Sequence, residues 1–329
     1  MHYKHISINE REKIVLLLTI GKKQNEIALE LSRHQSTISR EIQRNKGKTG
    51  YRLLKAQRKS DKRRGESKHP YKMTDPVIRE YVKNKLQLYW SPEQIANKLQ
   101  AEHQDKTEIR ISHQAIYDWI RQDRNKDGTW YKYLRQSSRK RRKHYGSGTS
   151  KRGQIKDAKD ITERPSIVEE RVRIGDWESD TIEGAKGTGY VATHVCRVSK
   201  YVVLAKLNTK VAAKFNRSSV KAFNRHGELP CHTLTVDRGK EFAAHAQLEK
   251  SLQCDIYFAK PYQAWQRGIN ENTNGLLRQF LPKGTDFSKI SSKYLKYVEY
   301  LLNTRPRKLL KYQTPYAVMC KLAGVALQI

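Results

Sequence analysis

The stretch from Arg173 to Leu207 constrains the fold most, because it contains three strand-like runs in close succession. Arg173–Glu183 alternates as a strand does, and Tyr190–Arg197 and Tyr201–Leu207 are rich in Val and Tyr. Short polar turns join the three runs. This pattern predicts an antiparallel meander.

The following residues add helices and two further strands. A helix is predicted over about 209–226 and another near 243–252, with strands at Leu234–Val236 and Ile256–Phe258. A meander followed by alternating helices and strands predicts a mixed five-stranded α/β sheet.

Acidic residues occur at informative places in this pattern. Asp180 lies inside the first predicted strand, and Asp237 directly follows the strand Leu234–Val236. Strand ends are where α/β sheets place their ligand sites. Asp176 and Glu178 share a strand face with Asp180 by the two-residue period, so parity alone does not choose among the three.

A turn followed by a helix is predicted over Pro261–Leu281. Arg267, Glu271, Asn274 and Arg278 form a polar stripe along this helix. The opposite face is apolar and carries Ile269, Thr273, Leu276, Leu277 and Phe280. A Glu on a helix is most often a solvated surface residue, so the stripe alone does not identify a site.

Carboxylates from two strands and a helix suit phosphodiester chemistry. Two Mg²⁺ ions about 3.5–4 Å apart can activate a hydroxyl and neutralise the charge that develops on phosphorus. Mg²⁺ prefers hard oxygen ligands and retains several waters, so a few carboxylates and the phosphate suffice.

The charge of the chain points to a polyanion. The 329 residues include 66 Lys and Arg but only 33 Asp and Glu, which gives a formal net charge of +33. Nucleic acid is the commonest polyanionic partner. A ribosomal or membrane-surface protein would share such a charge, so its sign alone does not identify the partner.

The first third of the chain predicts two helix-turn-helix units. In residues 1–50, three short helices are expected, the first capped by Asn9 and Glu12. The third runs from about Ser36 to Arg44 and resembles a recognition helix, although an ordinary three-helix bundle has the same pattern. Its expected DNA contacts are Ser36, Thr37, Ser39, Arg40, Gln43 and Arg44.

Residues 51–72 are basic and apolar-poor, which predicts a linker or an arm along phosphates. A second unit is expected over residues 73–134, with helices capped by Thr74 or Asp75, by Ser91 and by Ser112. The outward residues of its last helix, expected to contact DNA, are His113, Gln114, Tyr117 and Arg121.

Residues 135–165 form a second predicted linker that would lie along the DNA backbone. Its basic run includes Arg139, Arg141 and Arg142.

The four cysteines form no CxxC pair, so reduced thiols are expected. The chain has no signal peptide and its apolar runs are short, which predicts an intracellular, cytoplasmic protein.

Several motifs carry a family resemblance. Asp237 and Glu271 are separated by 33 residues, the spacing of DD(33)E transposases and close to that of retroviral integrases. DRGKEF at 237–242 and GINE at 268–271, with Asn274, resemble integrase motifs. Trp177 precedes Asp180 by three, as in W-x-x-D, and this selects Asp180. GDWESD, TLTVDRGKEF, WQRGINENTNGLLRQFLPKGTDFS and LNTRPRKLL resemble bacterial transposases of the insertion-sequence-thirty family.

The resemblance implies a ribonuclease H-like catalytic core at residues 166–285, followed by a helical extension at 286–329. It also implies that Asp180, Asp237 and Glu271 hold two Mg²⁺ ions, with Mn²⁺ as a substitute. The expected activity is cleavage and strand transfer of double-stranded DNA at the element's own terminal inverted repeats, by a homo-oligomer. The residues expected near the DNA are Lys240, Arg267, Asn274 and Arg278.

The sequence departs from the family pattern at two places: Ser179 stands where a Gly is usual, and Tyr316-Ala317 follow Thr-Pro where an acidic residue is common.

Two rival functions fit less of the sequence. A tyrosine recombinase would use His194 and Arg197, which match H-x-x-R but fall in a predicted strand, with no suitably spaced Tyr after them. A transcription regulator with an inactive integrase-like domain remains the better alternative. The presence of all three carboxylates argues against it.

Overall fold

The computed structural model describes residues 5–66, 72–135, 155, 157–227, 229–261 and 263–324. The chain divides into two compact units, Met1–Tyr71 and Lys72–Ile329. The finer division of the second unit at residues 135, 166 and 286 stays a prediction. No helix in the described ranges is long and apolar enough to cross a membrane.

The first unit is a small helical bundle. Its helices are α1 (Ile8–Thr19), α2 (Gln24–Glu30), α3 (Gln35–Asn45) and α4 (Leu53–Glu66). The three expected helices are therefore present. Their shared core consists of Ile6, Ile14, Leu17, Ile27, Ala28 and Ile38.

The predicted cap of α1 is wrong. Ser7 is the N-cap: its Oγ accepts from the Glu10 amide, and the Glu10 carboxylate accepts from the Ser7 amide at 2.7 Å. Asn9, the predicted cap, already lies inside the first turn of the helix. The capping box thus lies two residues earlier than expected, because Ser7 has the extended backbone that a capping residue needs.

Helix α4 corrects the interpretation of residues 51–72 as a linker. Leu53–Glu66 is helical, and Ala56 is fully buried. Arg11, which is 3% exposed, donates to Gln57 Oε1 at 2.7 Å and to Ser60 Oγ at 3.0 Å. Because polar groups anchor this helix, its sequence lacks the apolar periodicity that would have predicted it.

The second unit begins with a helical group. It contains α5 (Pro76–Gln87), α6 (Pro92–Glu102) and α7 (His113–Arg124). Asp75, Ser91 and Ser112 cap these helices, as the sequence predicts. Their common core includes Met73, Ile78, Val82, Leu86, Ile95, Leu99, Ile111, Ile116 and Ile120.

A five-stranded mixed sheet follows the short helix α8 (Ile167–Glu170). The strands are β1 (Asp176–Glu183), β2 (Tyr190–Cys196), β3 (Val202–Leu207), β4 (Thr233–Val236) and β5 (Asp255–Phe258). Their order is β3-β2-β1-β4-β5. The first three strands form the predicted antiparallel meander, whereas β4 and β5 run parallel to β1.

Helices cover both faces of the sheet. Helices α9 (Ala212–Asn224) and α10 (His245–Leu252) contribute to one core, and α11 (Gly268–Leu277) and α12 (Ser292–Thr304) to the other. Alternate β3 residues enter alternate cores: Val203 packs with the first and Val202 with the second. The last helix is α13 (Pro315–Ala323). All four cysteines are free thiols.

Candidate active site

The acidic face of β1 separates into three environments. Asp176 is 1% exposed and accepts from Arg173 Nε at 3.0 Å and Thr233 Oγ1 at 2.8 Å. Glu178 is equally buried. Asp180, whose side chain is 28% exposed, is the member of the face that solvent reaches. Burial therefore distinguishes Asp180 from the two residues that share its parity.

Asp180 and Asp237 meet at one cation. Arg267 Nη1 lies 3.6 Å from Asp180 Oδ1, and its Nη2 lies 3.2 Å from Asp237 Oδ2. Asp237 directly follows β4, which pairs with β1, so adjacent strands supply the two carboxylates. Burial raises the pKa of Asp180, the Arg267 charge opposes that effect, and the Asp237 charge adds to it.

A chain of hydrogen bonds fixes α11 on the sheet. The Asn270 amide donates to Glu178 Oε2 at 3.0 Å, and Arg197 Nη1 donates to Glu178 Oε1 at 3.0 Å. Asn270 is in the first turn of α11, where backbone N–H groups lack helical partners. The buried Glu178 carboxylate therefore caps this helix and also meets its positive end.

A second set of contacts joins the middle of α11 to Asp180. Asn274 Nδ2 donates to Asp180 Oδ2 at 2.9 Å. Thr193 Oγ1, on β2, lies 2.9 Å from Asn270 Oδ1 and 3.0 Å from Asn274 Oδ1. The sequence had indicated Asn274, and Glu178 only as an acidic residue on the face of Asp180, but not Asn270 or Thr193. A polar residue on a strand or helix gives no sign of being buried.

Glu271 lies on the same helical stripe as Arg267 and Asn274, both of which contact Asp180. Its side chain is exposed, and it makes no hydrogen bond or ion pair with any described residue. Within the described ranges, no three His, Cys, Asp or Glu side chains are grouped closely enough to hold a metal ion. The structure thus brings Asp180 and Asp237 together and leaves the Glu271 carboxylate exposed on the helix that follows Arg267.

A fourth carboxylate, which the sequence analysis missed, borders the pair. Glu241 is 1% exposed; its Oε1 accepts from Thr181 Oγ1 at 2.8 Å and from Lys210 Nζ at 2.9 Å. Burial lowers the pKa of Lys210. The hydrogen bond to Glu241 and the negative charges of Glu241, Asp237 and Asp180 together outweigh that effect, so the pKa is raised. A Cβ at Gly239 would collide with Glu241 Oε2 and Asp237 Oδ1, so a larger residue here would displace these two carboxylates. The D-x-G-x-E sequence is the only signal that could have found Glu241.

The donor set fits a divalent metal. Asp180 and Asp237 offer hard oxygen donors, and the Arg267 guanidinium already provides positive charge between them. Carboxylate oxygens are the kind of ligand that hard divalent cations prefer. Asp180 and Asp237 would hold the metal.

The predicted DNA contacts differ in accessibility. On α3, Arg40, Gln43 and Arg44 are exposed, whereas Ser36, Thr37 and Ser39 are half-buried, with Ser36 Oγ bonded to His34. On α7, His113, Gln114, Tyr117 and Arg121 are all exposed. Arg139, Arg141 and Arg142 lie outside the described residues.

The contacts predicted near the carboxylates also differ. Lys240 is exposed. Arg278, in contrast, donates to the Glu183 carbonyl at 2.9 Å, and burial lowers its pKa. Arg267 faces the two aspartates rather than solvent. Trp265, three residues before the first residue of α11, is 72% exposed and therefore is not a core residue.

His194, which a tyrosine recombinase would need at the DNA phosphate, is not accessible. His194 is fully buried in β2, and burial lowers its pKa to about 3, so the ring is neutral. Its Nδ1 lies 2.6 Å from Ser179 Oγ. This hydrogen bond is a structural role for the serine that departs from the family pattern, on the strand face opposite Asp180.

Comparison with family models matches two segments of the chain. A helix-turn-helix domain matches residues 2–45, and an integrase core domain matches residues 173–264. The first covers α1 to α3, and the second covers the sheet together with Asp180 and Asp237.

Full-length relatives are insertion-sequence transposases. The transposase for insertion sequence element IS4351 of Bacteroides fragilis is 41% identical over 95% of this chain and 94% of its own length. Transposase InsI for insertion sequence element IS30A of Escherichia coli (strain K12) is 34% identical over 98% and 85%. The transposase for IS1086 of Cupriavidus metallidurans is 35% identical over 97% and 95%.

Proposed function

The chain belongs to the insertion-sequence-thirty family of bacterial transposases, and we propose that Asp180, Asp237 and Glu271 form its catalytic centre. The observation that carries this proposal is that Asp180 and Asp237 both form ion pairs with Arg267. Arg267 immediately precedes α11, the helix that bears Glu271. The substrate is double-stranded DNA at the element's terminal inverted repeats, and the reaction is strand cleavage followed by strand transfer.

Mg²⁺ is the proposed cofactor, with two ions bound and Mn²⁺ able to replace them. When bound, the ions would activate the attacking hydroxyl and stabilise the charge on the phosphorus. The three carboxylates would hold them. This proposal rests on the oxygen donors of Asp180 and Asp237 and on their shared need for a cation.

The surrounding residues orient these carboxylates. Asn274 fixes one oxygen of Asp180, and the Gly239 amide donates to Asp237 Oδ1 at 2.9 Å. Lys210 and Thr181 hold Glu241 beside Asp237. A catalytic site loses rate steeply when its groups shift by about 1 Å, so this support is part of the proposed machinery.

Helix α3 is the proposed reader of the element ends. Its exposed Arg40, Gln43 and Arg44 form no ion pair with any described residue, so they are available for base edges and phosphates. On α7, by contrast, Asp118 accepts from Arg121 at 2.5 Å and from Gln114 at 3.0 Å. A carboxylate on that face opposes phosphate binding.

Joining two ends requires two copies of the chain, and we propose a homo-oligomer on DNA.

A cleavage assay with Glu271→Ala tests the catalytic proposal. The substrate is a duplex that carries the element's own end, with Mg²⁺ or EDTA. We expect cleavage by the unmodified protein to require Mg²⁺ and the variant to lose at least a thousandfold in rate. Glu170→Ala is the matched control, because Glu170 is an exposed helical carboxylate elsewhere in the unit. Full cleavage by Glu271→Ala would contradict the catalytic role of Glu271, whereas no cleavage by the unmodified protein in Mg²⁺ would support the regulator alternative.

A further inference from the structure

Positive side chains from three segments gather along one side of α11. We call these four residues the cationic cluster: Arg135 after the helical group, Lys200 between β2 and β3, and Arg305 and Arg307 after α12. All four belong to the second unit. The proposed catalytic centre uses none of them.

Arg305 is the most deeply buried member of the cluster. It is 2% exposed, donates from Nη1 to Gln279 Oε1 at 3.1 Å and lies over the Phe280 ring. Its Nε and Nη2 are buried and have no hydrogen-bond partner among the described residues. Burial, followed by the charges of Arg307 and Arg135, lowers the pKa of Arg305 to about 9.

Arg307 shares this lack of an anionic partner. Its Nη2 donates to the Leu302 carbonyl at 2.8 Å, but its buried Nε has no partner among the described residues. Burial and the Arg135 charge lower its pKa to about 10. Among the described residues, no carboxylate forms an ion pair with Arg305 or Arg307. Buried charges are normally paired, so the two guanidiniums are short of one anion.

The cluster is open to solvent on two sides. Arg135 is exposed and lies against α11, where a Cβ at Gly275 would come within 3.3 Å of its Nη2. Arg307 and Lys200 line a cavity of about 300 Å³, whose other walls are Gly268, Ile269, Asn272, Thr273, Leu276 and Leu309. An anion could therefore reach the cluster beside the same helix that carries Glu271.

We propose that the cationic cluster is a phosphate-binding site that holds one backbone phosphate of the bound DNA. Planar guanidiniums bind phosphate in a bidentate manner, and here they come from two segments, one with Arg135 and one with Arg305 and Arg307. The site would fix the DNA strand relative to Glu271 and to the helical group that ends at Arg135. The choice of DNA as occupant rests on the proposed function, whereas the need for an anion rests on the cluster itself.

The test measures DNA affinity against salt concentration in EDTA, with full-length protein. Arg307→Gln should lower the slope of log affinity against log salt by about 0.9, the value for one lost phosphate contact. Lys311→Gln is the matched control, since Lys311 is an exposed cation on the same connection. Arg135→Gln, at an exposed position, gives the same readout if Arg307→Gln fails to fold. Slopes that match the control for both variants would overturn the proposal.

Neutral methylphosphonates, placed one at a time along the duplex, locate the phosphate. One position should weaken binding by the unmodified protein and have no effect on Arg307→Gln. Inorganic phosphate is the second probe: if it raises the melting temperature through Arg307 while DNA affinity is unchanged in the variant, the site takes a free anion and the proposal fails. Since EDTA prevents cleavage, these outcomes are independent of the catalytic assignment.

Discussion

Arg267 provides the positive charge that lets the two aspartates lie close together. Its guanidinium bridges Asp180 and Asp237 at 3.6 and 3.2 Å, and its Nη1 also donates to the Ser179 carbonyl at 3.1 Å. Two adjacent carboxylates disfavour each other's ionisation unless a cation lies near them. The arginine therefore offsets the repulsion that a bound metal ion would also offset.

Replacement of Arg267 should make stability depend on metal. In EDTA, Arg267→Ala should lower the free energy of unfolding by about 1–3 kcal/mol, the range for lost bonds to charged groups. Mg²⁺ should restore more of this stability in the variant than it adds to the unmodified protein, because a metal relieves the same repulsion. Urea unfolding with and without Mg²⁺ measures both quantities.

The control for this experiment is Arg217→Ala, which removes an exposed arginine from α9. It should show neither the loss in EDTA nor the added response to Mg²⁺. If Mg²⁺ stabilised Arg267→Ala no more than the control, the arginine would have no metal-like role.

At the scale of elements, α11 is positioned by buried polar groups. Glu178 caps its first turn and is clamped by Arg197, while Thr193 lies within hydrogen-bond distance of Asn270 and Asn274. The helix also packs Leu276 and Leu277 into the core beneath it. The apolar contacts attach the helix, and the directional hydrogen bonds set its rotation and hence the direction of Glu271.

Glu178→Gln should therefore reduce cleavage beyond its effect on stability. The amide cannot accept from both Arg197 and the Asn270 amide as a carboxylate does, so α11 loses its fixed orientation. We expect a fall in kcat of about tenfold to a hundredfold, in line with small misplacements of catalytic groups. The measurement is kcat well below the melting temperature.

Glu299→Gln is a closely matched control. Glu299 is 3% exposed and, like Glu178, accepts from a backbone amide, that of Leu204, and from an arginine, Arg225. It lies on α12, away from the proposed centre. A similar loss of stability in both variants with a similar kcat would show that Glu178 has only a structural role.

The sequence predicts elements with apolar periodicity and misses those held by polar contacts. The five strands and α11 are predictable because the apolar runs of the strands and the amphipathic face of the helix follow from burial. Helix α4 is not, since Arg11 anchors it through Gln57 and Ser60. In the same way, the motifs single out Asp180, but nothing in the sequence distinguishes a buried Glu178 from a solvated carboxylate.

At the scale of the whole molecule, the excess of positive charge favours DNA binding but does not explain sequence specificity. A net charge of +33 provides strong attraction to any DNA, and this attraction contains no sequence information. Specificity must come from side chains that reach base edges. The exposed face of α3 offers Arg40, Gln43 and Arg44 for this purpose.

Gln43→Ala should relax sequence preference without weakening general DNA binding. Loss of a contact to a base edge costs about 1–3 kcal/mol at its cognate site, or roughly tenfold to a hundredfold in affinity. Affinity for an unrelated duplex at the same salt should not change. Competition binding measures the two affinities together, and Lys22→Ala, at an exposed position between α1 and α2, is the control. Equal losses on both duplexes would assign Gln43 to the backbone instead.

The identity of the metal ligands is tested most directly by a change in metal preference. Asp180→Cys and Asp237→Cys replace a hard oxygen ligand with sulfur, which Mg²⁺ binds poorly and Mn²⁺ tolerates better. We predict that both variants fail to cleave the element end in Mg²⁺ and recover cleavage in Mn²⁺, while Glu170→Cys cleaves in either metal. Absence of Mn²⁺ rescue, or full activity of the two cysteine variants in Mg²⁺, would contradict the assignment of these aspartates as metal ligands.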